Sequence, residues 1–134
     1  MKKKEIIIYT IILIIIGFIL SSIYRPYVYS NNINDFGIAD IGNNVIFIPA
    51  VYFLTILINK KPIFGIFKDI IFHTSALMIV EILSYFIKGI GTFDYKDLFG
   101  LLIGAGITII VMRNRTKNLT QEKRELSYEI EQKD

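Results

Sequence analysis

Three carboxylates stand in the stretch "IVEILSYFIKGIGTFDYKDLFGLLIGAGI", residues 79 to 107: Glu81 inside one apolar run, and Asp94 and Asp97 at the start of the next. An ionised carboxylate within a bilayer costs several kcal/mol unless it is paired or opens on a wet cavity, so such residues are candidates for function. Glu81 could hold a cation or a polar ligand, or carry a proton. Protonated, it could instead tie two helices together. Tyr85 follows at i+4 and Lys88 at i+7, so the three share one helix face leading outward. Glu81 then lies about 10 Å below the outer helix end, beyond snorkelling reach. His73, the single histidine, falls roughly 80° round the same helix and belongs to its other end. Asp94 and Asp97 form D-x-x-D, which puts both on one side of a helix with Cβ atoms about 5–6 Å apart. The structural alternative is that Asp94 or Thr92 caps that helix and Asp97 meets its dipole.

Other chemistries lack their parts. There is no cysteine, and one histidine cannot build a His/Cys metal cluster. No phosphate-binding G-x-x-x-x-G-K, no H-E-x-x-H and no G-x-S-x-G occurs. An oxygen-rich Mg²⁺ or Ca²⁺ site is chemically allowed, but nothing in the spacing calls for one, so no metal, cofactor or catalytic residue is assigned. A net charge of +3 is explained by the charge asymmetry below, and nucleic acid is not an expected partner.

The elements that must position these residues are membrane helices. The chain of 134 residues is 53% hydrophobic, with a mean hydropathy of +0.52, and its apolar residues are gathered into runs. Four segments read as spans: about 5 to 23, 41 to 58, 67 to 87 and 97 to 112. The first reads as an uncleaved anchor, since no A-x-A-like cleavage site follows it. The second must recruit "IGNN" to reach the length of a span, and if its regular helix starts near Val45, Pro49 falls close to the first turn, where a missing N–H is tolerated. Twelve of the fifteen lysines and arginines lie before the first span, between the second and third, or after the fourth. This distribution predicts an all-α, four-helix integral membrane bundle with both termini cytoplasmic. Residues 1–112 form the spanning domain, and 113–134 a charged helical tail. Residues 24 to 40 and 88 to 97 become outer loops. Gly89 and Gly91 suit a helix C-cap and tight turn between the third and fourth spans. Gly100 and Gly104 give the fourth span a small face for close helix packing, expected against the third, where it would enclose Glu81.

The hairpin resembles the VanZ-like family of small bacterial membrane proteins, whose pattern runs E-L-L-Q, then R-x-F-D-x-x-D, then A-N-x-x-G-x-x-x-G. Glu81 falls on the membrane glutamate, Phe93 and Asp94 on the F-D pair, Asp97 on the second aspartate and Gly104 on the first of the later glycines. Four positions depart: Ser84 stands for the glutamine, Gly91 for the arginine, Leu101 for the asparagine and Thr108 for the last glycine. An echo lies in "NNVIFIP", residues 43 to 49. The resemblance implies a multispan protein of the bacterial cell envelope, in a family with members associated with lowered susceptibility to glycopeptides such as teicoplanin. It does not imply an enzyme.

The expectation is a non-enzymatic inner-membrane protein with an outward acidic site of Glu81, Tyr85, Asp94 and Asp97. Its candidate ligands are a cell-wall precursor, a lipid headgroup, a glycopeptide or a cation. The alternative is a subunit of a small transporter or channel in which Glu81 carries a proton or cation and the glycine face mediates homo-oligomerisation.

Overall fold

A computed structural model of the chain describes residues 3–87 and 93–131, with side chains throughout except at 119, 122, 123 and 125–131. Among these residues all regular structure is helical. Helix α1 (Lys3–Ile19) passes through a π turn (Leu20–Tyr24) into α2 (Arg25–Ser30), so the first helix is continuous to Ser30 instead of ending at 23. The reason is local. Pro26 offers no N–H to the carbonyl four residues back, and its ring crowds that carbonyl. The wider turn before it, in which the Arg25 N–H reaches the Leu20 carbonyl, makes the room.

The remaining loop is short and tied down. Asp35 accepts hydrogen bonds from the Gly37 and Ala39 amides at 3.1 and 2.6 Å and from the Tyr24 hydroxyl at 3.2 Å. Gly37 supplies the left-handed turn (φ 85°) from which α3 (Ile38–Asn59) starts. Because Asp35 starts the helix there and not near Val45, Pro49 stands well inside α3, away from its first turn. The Val45 carbonyl thereby loses its helical donor.

α3 ends at Lys60 in a left-handed conformation (φ 64°). The next loop folds over Asp69, which is 2% exposed and accepts the Ile63 and Phe64 amides at 2.7 and 2.8 Å. α4 (Ile66–Phe86) and α5 (Tyr95–Glu131) follow, and α5 carries the charged tail as one unbroken helix. Lys88, Gly89, Gly91 and Thr92, assigned above to the outer face and the turn, lie outside the described residues.

Side-chain neighbours give the directions. Tyr9 stacks on Phe53 while Gly17 lies beside Asn43 and Ile46, so α1 and α3 are antiparallel. Gly100 lies against Ile41 and Asn44, and Gly104 against Val45, so α3 and α5 run parallel. These two form the central pair; α1 covers α3, and α4 packs on both. The core holds Ile48, Tyr52, Phe53, Leu101 and Ala105 along that pair, closed by Ile6, Ile70 and Met112.

The glycine face of α5 therefore meets α3, the second span, and not α4. A Cβ on Gly104 would lie 2.5 Å from the Val45 carbonyl oxygen, and one on Gly100 would lie 2.8 Å from the Ile41 carbonyl oxygen. The carbonyl released by Pro49 is thus the one that Gly104 lets α5 approach. A Cα–H···O contact there is the kind that recurs where helices cross closely.

Among the described residues three helices are long and apolar enough to cross a membrane: Lys3–Ser30, Ile38–Asn59 and Tyr95–Asn118. The first leaves Ile14 and Phe18 56% and 63% exposed, as lipid-facing side chains would be. α4, which carries Lys68, Asp69, His73 and Glu81, is not among the three.

Candidate functional site

Because α3 and α5 are parallel, their N-terminal ends lie side by side. Antiparallel α4 brings Glu81 to the same end, and α2 adds Arg25 and Tyr29. Two polar clusters result.

The first is centred on Asp40. Its carboxylate accepts the Lys96 ammonium at 2.7 Å and the Tyr29 hydroxyl, and Arg25 approaches to 3.9 Å. Arg25 also donates to the Tyr29 hydroxyl at 3.4 Å and lies over that ring at 5.5 Å. The Asp40 side chain is only 14% exposed, so this cluster clamps α2, α3 and α5 together.

The second holds the three predicted acids. Asp94 works as a cap: its carboxylate accepts the Lys96 amide at 2.9 Å, and its carbonyl accepts the Asp97 amide at 3.0 Å. Asp97 accepts the Asn44 amide group at 2.5 Å, linking α5 to α3. Glu81 approaches the Asp94 amide at 3.4 Å, near enough to Asp97 for the two charges to act on each other. Two ionised carboxylates this close repel each other unless a proton or a cation lies between them. Among the described residues no lysine or arginine is bridged to either acid. Arg25 acts on Asp97 through space while committed to Asp40.

Tyr85 stands apart. It is 71% exposed, edge-on to Phe86 and Phe93 at 5.1 and 5.9 Å, and enters none of the hydrogen bonds described at this end. Glu81, Asp94 and Asp97 are thus gathered, with Tyr85 on an aromatic rim above them. Among the described residues no group of three or more histidine, cysteine or acidic side chains is arranged to hold a metal ion.

Sequence reading missed Arg25, Tyr29, Asp40, Asn44 and Lys96. Asp40 and Asn44 are four residues apart and share a helix face, the signal that could have found them. The loop assignment of 24 to 40 hid it.

Three positions that depart from the family pattern have local roles. Ser84 donates to the Glu81 carbonyl at 2.6 Å, Thr108 donates to the Gly104 carbonyl at 2.7 Å, and Leu101, 3% exposed, fills the core. A polar side chain at 101 would need a buried partner.

The opposite end is basic. Arg115 pairs with Glu5 at 2.8 Å, donates to the Tyr9 hydroxyl at 3.2 Å and lies over its ring. The Tyr52 hydroxyl and His73 Nε2 are buried there or below it without a hydrogen-bond partner among the described residues. Compared with family models, curated proteins and solved structures, the chain finds no match in any of the three.

Proposed function

We propose that this chain is a non-enzymatic, multi-pass protein of the bacterial inner membrane. It crosses four times with both termini in the cytoplasm and uses its acidic end to bind a polar or cationic ligand at the outer leaflet. The observation that carries the reading is the gathering of Glu81, Asp94 and Asp97 at one end, where no described cation bridges Glu81 or Asp97 while nearby Lys96 and Arg25 pair with Asp40. A cationic group entering between two such carboxylates gains charge-assisted hydrogen bonds that the protein does not itself supply. The resemblance of residues 79–107 to VanZ-like proteins supports a ligand of envelope chemistry: a cell-wall precursor, a lipid headgroup or a glycopeptide.

The test is glycopeptide susceptibility of a sensitive bacterium expressing the wild type, Glu81→Gln or Asp97→Asn at matched membrane levels. Protection by the wild type that is lost in both variants supports the reading. Absence of protection from every form removes the glycopeptide ligand.

The same carboxyl pair favours a second reading, a subunit of a small transporter or channel that passes a proton or cation between Glu81 and Asp97. Four helices make a thin wall for a pore, so this reading requires self-association. pH-dependent ion flux in liposomes, abolished by Glu81→Gln, would favour it; a monomer without flux would dispose of it.

A further inference from the structure

At the basic end, a cleft of about 840 Å³ lies between the start of α4 and the part of α5 beyond Met112. Ile66 and Phe67 of α4 and Met112 of α5 supply apolar wall, and Arg113, Lys117 and Arg124 of α5 supply positive charge. The three cations recur at i, i+4 and i+11, so they follow one face of α5. Arg113 and Lys117 enter no ion pair among the described residues, in contrast to Arg115 on the neighbouring face, which is held by Glu5. A second cavity of about 170 Å³ adjoins the cleft, sharing Ile66, Met112 and Thr116 with it. Tyr52 lines that cavity, fully buried and with its hydroxyl unpartnered. A buried hydroxyl without a partner is a cost that an entering acceptor would relieve.

We propose that this cleft is a binding site for an anionic phospholipid, its phosphate held by Arg113 and Lys117 and its acyl chain laid along Ile66, Phe67 and Met112. Three observations select a lipid over a soluble acidic partner. The positive charge complements a phosphate, the wall beneath it is apolar, and the cleft straddles the level at which the apolar run of α5 gives way to charge, at Met112 and Arg113. That is the depth at which headgroups lie, and basic residues there attract anionic lipid. The proposal rests on insertion of these helices into a bilayer and is independent of what the acidic end binds.

The experiment places the full chain in nanodiscs of equal phosphatidylglycerol and phosphatidylcholine. The motionally restricted fraction of each lipid is then measured with spin-labelled probes, at constant ionic strength. Expected is a preference for phosphatidylglycerol that falls roughly thirtyfold in Arg113→Gln/Lys117→Gln, at about 1 kcal/mol per basic residue. Lys3→Gln/Lys4→Gln, which removes two charges near the same end but outside the cleft, should retain most of it. Equal loss in both double variants would overturn the cleft as the site, as would no preference in the wild type. A preference abolished by excess inorganic phosphate would mean that the site takes soluble phosphate, which overturns the lipid. Failure of the chain to enter neutral discs would overturn the membrane reading and this proposal together, whereas insertion without preference overturns this proposal alone.

Discussion

Gly104 leaves no room for a side chain, and the reason lies across the interface, in the Val45 carbonyl that Pro49 strips of its helical donor. Gly104→Ala should force α3 and α5 apart at a cost of about 1–3 kcal/mol, as overpacking does. Gly106→Ala, where nothing lies within 4 Å of the added carbon, should be neutral or gain the roughly 1 kcal/mol of better helix propensity. Thermal unfolding of both variants in detergent checks the contrast. The Asp40 clamp makes a prediction of another form. Asp40→Asn should destabilise the acidic end, and adding Lys96→Gln should do little further harm, because the partner is already lost; a double-mutant cycle on unfolding measures this coupling.

At the scale of elements, helix ends are decided by single side chains reaching over short distances. Asp35 starts α3 from the loop before it, and Asp69 fixes the loop before α4 from within that helix. Asp69→Ala removes the charged acceptor of the Ile63 and Phe64 amides and should cost about 2 kcal/mol. Asp69→Asn keeps one acceptor oxygen and should lose less. Unfolding midpoints, with trypsin cleavage after Lys60 as a local readout, test both. The sequence made the apolar runs and their order legible, because composition over some twenty residues is enough to mark a candidate span. It ended the first helix too early and left Asp40, which lies within the first turn of α3, in a loop, since a π turn ahead of Pro26 and an aspartate capping from the loop leave no periodic signature.

For the whole molecule, the separation of an acidic end from a basic end predicts its placement in a bilayer. The chain has no cysteine, so single cysteines report sidedness without background. Asn31→Cys and Asp94→Cys should be labelled from outside intact cells by a membrane-impermeant maleimide, and Lys61→Cys and Gln121→Cys only after permeabilisation. Protection of Asp94→Cys with labelling of Asn31→Cys would mean that α4 does not cross, which would remove the outward placement of Glu81 and Asp97.

The sequence by itself determined that this chain is helical and apolar and that its charge is sorted by segment, because these are properties of runs of residues. It also singled out Glu81, Asp94 and Asp97, since a carboxylate in an apolar run is conspicuous in one dimension. Only the tertiary structure decided what each acid meets. Asp94 is used up as a cap, Asp97 is joined to Asn44 across fifty-three positions of chain, and Asp40 takes the cations that the other acids lack. The parallel crossing of α3 and α5 sets all of this. It depends on Pro49 freeing one carbonyl and Gly104 admitting it, a match between two helices that neither sequence segment contains alone.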